Sequence, residues 1–232
     1  MKNAFLLHHL GLGDHIICNG LVRHLAEEYD TLIFPTKKHN LINVNAMFSD
    51  LENISIMPVE DDVGMLKEWE KYRSIFSAIK LGCFEKPNFI KPGETFCRAF
   101  YRQANVPSEF RWEKFFVPRN IVREKKLLDS VTSDKYYFVH DDESRGLNIS
   151  QDYLIGNFYR PKHVLGDKTE TTIFDYRKVI EQSTQIHCMD SSFAAFIDHL
   201  PELFNKQKTI HRYIRKSSAN PEYKNNWAIV NE

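Results

Sequence analysis

Three short clusters in this chain hold residue types that do chemistry on small molecules. The first is Gly11-Leu12-Gly13-Asp14, directly after an apolar run. Glycines so spaced permit a tight turn and close backbone approach to a ligand, and a helix starting there favours anions. A dinucleotide fingerprint would need a third glycine three residues after Gly13, where Ile16 stands. The stretch after the second apolar run, Phe34 to Asn40, also lacks an acidic residue to hold a ribose. Asp14 would repel a phosphate in this loop. Its carboxylate suits a different task, taking a proton from a sugar hydroxyl; the simpler alternative is a helix cap.

The second cluster is Asp190-Ser191-Ser192, after the apolar segment TQIHCM. Two hydroxyls beside the free N–H groups of a helix start suit a diphosphate, although capping alone also explains them. The third is FVHDDESRG at 138–146. His140 closes an apolar run, and Arg145 follows a carboxylate-rich loop from which it can pair with a phosphate or neutralise a leaving nucleotide. Two alternatives stand beside that: an Arg–carboxylate pair in a solvated turn, or Mg²⁺ or Mn²⁺ held by Asp141 and Glu143. His8, His9, His15, His24, His187 and His199 show no zinc spacing, and neither a GxSxG elbow nor a Walker loop occurs.

These clusters need elements to position them. Apolar runs at 4–9, 31–36, 54–59 and 74–81 predict strands. Helical spacing at 14–29, 39–48 and 61–72 predicts the helices between them. Such alternation implies right-handed βαβ units and a parallel sheet. A proline- and aromatic-rich connector follows, with a helix expected at 94–104 and a charged one at 119–133. The alternation then restarts with strands at 135–142, 184–189 and 208–214 and helices at 172–182 and 191–200. Thr172 and Asp175 have the spacing of a capping box, and a short helix is expected around Trp227. The expected fold is α/β with two Rossmann-like lobes, parallel sheets and an interlobe cleft, divided as 1–115 and 116–232; one extended sheet is the alternative.

Bulk composition narrows the function classes. The 232 residues are 42% hydrophobic, enough for a substantial core. Lys and Arg equal Asp and Glu at 31 each, so no overall field points to a nucleic-acid or membrane partner, and the basic run Arg123–Lys126 reads as a solvated helix face. Cys18, Cys83, Cys97 and Cys188 lie far apart, which fits reduced thiols in a cytoplasmic setting better than a zinc ribbon or disulfide framework. The opening residues lack the length of a signal peptide, and no run approaches the ~18 apolar residues of a membrane span. Asn53-Ile-Ser and Asn148-Ile-Ser therefore read as chance matches to a glycosylation acceptor.

Taken in order, GLGDHIICNGLVRHL and IHCMDSSFAAFIDHL resemble the amino- and carboxyl-terminal motifs of GT-B glycosyltransferases of the heptosyltransferase type. FVHDDESRG is loosely similar to donor-holding segments of GT-B enzymes, including fucosyltransferases. The resemblance implies that Asp14 is a catalytic base, with Gly11 and Gly13 shaping its loop. It implies that Asp190, Ser191 and Ser192 lie against the donor diphosphate, with His140 and Arg145 assisting. The chain is shorter than the usual GT-B enzyme, and Ser192 stands where the family motif has glycine. The reaction implied is inverting, metal-independent transfer from a nucleotide-diphosphate sugar to a glycan or other hydroxyl acceptor, without a resident cofactor.

Overall fold

A computed structural model of the chain describes residues 2–131, 134–141, 146–161, 171–214 and 221–231. The chain divides into two compact units, Met1–Pro118 and Arg119–Glu232. Each is built on a parallel sheet.

In the first unit β1 (Asn3–Leu7) leads through α1 (Leu12–Ile17) and α2 (Asn19–Glu28) to β2 (Thr31–Lys37). Then come α3 (Leu41–Met47), β3 (Ile54–Val59), α4 (Asp62–Tyr72) and β4 (Ser77–Lys80). The strands lie in the order β3-β2-β1-β4, all parallel. Side-chain alternation decides which helix covers which face. Phe5 and Leu7 of β1 pack with Met65 and Trp69 of α4. Phe34 of β2 points the other way, toward His15 of α1 and Phe48 after α3. Burying side chains of this size is worth about 1.5–3 kcal/mol each. Helix α4 begins where the Asp61 carboxylate accepts from the Gly64 N–H at 2.8 Å. The run at 74–81 forms a strand only over Ser77–Lys80, because residues 75 and 76 still bond back to Tyr72 at the end of α4.

The connector contributes α5 (Phe96–Gln103) and α6 (Phe110–Glu113). It is tied back to α2 by Asn19, which exchanges two hydrogen bonds with the Phe116 backbone, and by Arg23, which bonds Phe116 O, Met47 O and Asp50.

The spacing at 14–29 predicts one continuous helix, but the chain starts it at Leu12 and breaks it at Cys18. The cause is Tyr101 of α5. Its buried hydroxyl donates to Ile17 O at 2.9 Å and accepts from the Leu21 N–H at 3.2 Å. Those two groups, four residues apart, are the pair an uninterrupted helix would join directly. A side chain inserted into the ladder separates α1 from α2.

The second unit contains α7 (Ile121–Leu128), β5 (Tyr137–His140), β6 (Phe158–Tyr159), α8 (Arg177–Gln182), β7 (Gln185–Cys188), α9 (Ser192–Asp198), β8 (Gln207–His211) and β9 (Ala228–Val230). Its order is β6-β5-β7-β8-β9, again parallel. The capping box forms: the Thr172 N–H donates to Asp175 Oδ2 at 2.7 Å and opens a tight turn that runs into α8. Two expectations are corrected. The run at 208–214 leaves the sheet after His211 and turns over Arg212–Ile214. No helix forms around Trp227; Ala228–Val230 pairs with Thr209–His211 as an edge strand, and the Trp227 indole is anchored to Asp198. No helix among the described residues is long and apolar enough to cross a membrane.

Replacing Tyr101 by Phe keeps the ring and deletes the relay. The variant is expected to lose about 1–3 kcal/mol of unfolding free energy, measured by urea titration. An unchanged midpoint would mean that the ladder closes without the hydroxyl.

Candidate functional site

Each sheet winds outward in both directions from an early strand. In the first, β1 is followed by β2 and β3 on one side, and the chain then returns to lay β4 on the other. In the second, β6 lies on one side of β5 and β7 on the other. Where winding reverses, the crossovers leave on opposite faces and a crevice opens beyond the carboxyl ends of the two strands. The reversals fall at β1/β4 and β5/β7. The residues just past those ends are His8–Asp14, Leu81–Cys83, Asp141 and Met189–Ser192.

The first rim brings Gly11, Gly13 and Asp14 together in one turn. Gly11 is the residue before α1, and Asp14 occupies the third helical position, half-buried, so it is not the cap. A Cβ on Gly11 would lie 2.7 Å from Asp14 Oδ2. The glycine therefore leaves room for the carboxylate to fold back over the loop. Hydrogen bonds hold the turn: Asn40 Nδ2 donates to Leu10 O at 3.0 Å, and His8 Nδ1 lies 2.6 Å from His9 O. A carbonyl can only accept, so His8 carries its proton on Nδ1. His9 spans to the neighbouring strand, its Nε2 accepting from the Cys83 N–H at 3.1 Å, with its ring edge-on to Phe84, Phe89 and Phe100. Gly82, at φ 70°, could not carry a Cβ there, since it would sit 2.3 Å from His9 Nε2. Beneath the turn the buried rings of His8 and His15 meet at 4.5 Å, and His15 Nε2 bonds Thr36 Oγ1 at 3.0 Å.

The second rim brings His140, Asp190, Ser191 and Ser192 together, with Met189 N bonded to His140 O at 3.1 Å. Ser191 caps α9, its hydroxyl accepting from the Ala194 N–H at 3.3 Å, and Ser192 is the first helical residue. The His140 ring lies 4.5 Å from that of Phe193. Asp190 is buried and committed within the protein. Arg212 Nε donates to its Oδ2 at 3.1 Å, and the Tyr223 hydroxyl donates to its Oδ1 at 2.9 Å. Burial, reinforced by that carboxylate, pushes the Tyr223 phenol well above its usual range. Asp141 is likewise held by Arg160 Nε at 3.1 Å. Arg145 and Glu143 lie outside the described residues. No group of three His, Cys, Asp or Glu side chains that could hold a metal occurs among the described residues.

Arg160, Arg212, Tyr101 and Tyr223 are absent from the sequence reading. Arg212 was legible as the residue after a strand, had that strand been ended at His211. Arg160 sits in a stretch without periodicity, and neither tyrosine carries a local signal. No protein-family model, curated protein or solved structure matches the chain.

Four buried histidines are kept neutral. Burial lowers His8 and His211 to about 4, and lowers His15 and His187 too. His187 Nδ1 and His211 Nε2 lie 2.9 Å apart, and His187 Nε2 lies 3.4 Å from Gln185 Oε1. The amide oxygen only accepts, so His187 is protonated at Nε2 and His211 donates through its own Nε2. For a histidine with a depressed folded pKa, the unfolded chain takes up the proton first. Stability is therefore complete above pH 6.5 or so and falls as the pH drops toward 4. Urea midpoints are expected to fall steadily from pH 7 to pH 5, before most carboxylates titrate. A flat profile across that window would contradict neutral burial.

Proposed function

We propose that the protein is a metal-independent glycosyltransferase that moves a sugar from a nucleotide-diphosphate donor to an acceptor hydroxyl. The observation that supports this most directly is the coincidence of the carboxylate loop and the serine pair with the two winding reversals. In parallel α/β sheets, reversals are where ligands bind.

In this reading Asp14 takes the proton from the acceptor hydroxyl as its oxygen attacks the anomeric carbon. The bond from that carbon to the diphosphate oxygen breaks, and the electron pair leaves with the diphosphate. Hydroxyls of Ser191 and Ser192, with neighbouring backbone N–H groups, stabilise that leaving charge. A single displacement inverts the anomeric centre. Two features suit Asp14 to this work: it stands in the first turn of α1, and Gly11 leaves its carboxylate space over the loop. Asp190 is occupied by Arg212 and Tyr223, so its part is to hold other groups rather than to meet the donor.

The test is transfer and donor hydrolysis over a panel of nucleotide sugars, with wild type beside Asp14→Asn. A general base contributes about 10²–10⁴-fold, so the variant should lose at least a hundredfold in kcat while its affinity for the nucleoside diphosphate stays within threefold. Full activity in Asp14→Asn would remove Asp14 from the chemistry. No turnover of any nucleotide sugar by wild type would remove the transferase reading.

A further inference from the structure

The rim of the second sheet carries a charge pattern that the proposed reaction has not used. Read across the sheet in the order β6-β5-β7-β8, the charged residues just past the strand ends, among the described residues, are Arg160, Asp141, Asp190 and Arg212. The outer pair are arginines, and each reaches inward to a carboxylate on the neighbouring strand: Arg160 to Asp141 and Arg212 to Asp190, both at 3.1 Å. The two carboxylates follow β5 and β7, which are adjacent strands. Adjacent strands lie about 4.8 Å apart, and each guanidinium, starting on an outer strand of this set, leans one strand inward toward the winding reversal. Ser191 and Ser192 stand between them in the chain order of the rim.

We infer that Arg160 and Arg212 form a two-armed clamp for the diphosphate of the ligand, with Asp141 and Asp190 as the carboxylates that aim them. The inference rests on the reading of this rim as the donor side. A guanidinium has five N–H donors. Arg212 uses Nε and Nη2 on Asp190 and on Pro221 O, and none of these bonds involves Nη1. Arg160 is held by Asp141, and the Phe158 ring centroid lies 4.4 Å from its guanidinium. Both arginine side chains stay partly open to solvent, 24% and 17%, while the carboxylates behind them are 3% and 6% exposed. In each pair the guanidinium is thus the more exposed partner and the carboxylate the more buried one. A planar fork held in this way matches phosphate oxygens better than a mobile lysine would. The arrangement also accounts for the buried Tyr223, whose hydroxyl bonds the Asp190 oxygen that Arg212 Nε leaves open.

Binding of inorganic pyrophosphate and of UDP, GDP and ADP, measured by calorimetry at low and moderate salt, tests the clamp independently of turnover. Arg212→Gln and Arg160→Gln should each weaken the tightest of these at least tenfold, and Arg212→Lys should recover only part of the loss. Arg212→Gln leaves Asp190 buried without its cation and can unfold the unit. The paired variant Arg212→Gln/Asp190→Asn replaces both charges with neutral amides, and it too should lose binding at least tenfold while its circular dichroism and urea midpoint stay near wild type. Affinities within twofold of wild type in Arg160→Gln and in the paired variant would overturn the clamp and leave the transferase reading standing. Arginine-dependent binding with no transfer from any nucleotide sugar would remove that reading and leave the clamp. Failure of wild type to bind any of the four anions would overturn the clamp outright.

Discussion

Reversal of winding is the constraint on which the placement of both candidate rims depends. A parallel strand needs a crossover to reach its neighbour, and successive right-handed crossovers in one direction put their helices on one face. Only where the chain turns back do two adjacent strands send their crossovers to opposite faces and leave their carboxyl ends uncovered. That happens at β1/β4 in the first unit and at β5/β7 in the second. The glycine–aspartate turn and the serine pair follow strands that flank these reversals.

Each rim is then set by a few long-range hydrogen bonds. In the first unit, Asn40 and His9 hold the turn against β2 and β4 ends, and Tyr101 decides where α1 stops. In the second, two buried carboxylates fix two arginines. A carboxylate left in such a place without its cation would carry a large desolvation penalty. Asp141 and Asp190 are therefore best understood through their arginines. The neutral histidines beneath the first rim and inside the second sheet add polar groups to the interior, which ties the integrity of both units to neutral or higher pH.

Much of this was legible in the residues, because the signals were local. Short apolar runs such as Phe5-Leu6-Leu7 and Gln185–Cys188 are the right length for buried parallel strands. Thr172 and Asp175 declare a helix start by their spacing alone. The failures have non-local causes. Helix α1 stops because of a hydroxyl 84 residues away, which no window of sequence contains. Arg212 lay hidden in Thr209-Ile210-His211-Arg212-Tyr213-Ile214, whose composition continues a strand past its true end. Strand β9 has three residues and exists only because β8 offers an edge. The site was half legible: the loops that carry Asp14 and Ser191 were evident, whereas the commitment of Asp190 to Arg212 and Tyr223 depends on contacts across 22 and 33 residues.

Amide hydrogen exchange of the intact chain, with and without saturating nucleoside diphosphates, tests the central claim most directly, because it shows where the ligand sits without assuming what reaction follows. Slowed exchange is expected in the segment after β7, from Met189 through Ala194, with a smaller effect in the turn that begins at Arg212. Protection confined to the amino ends of the strands, or no change at either carboxyl rim with any nucleotide, would contradict it.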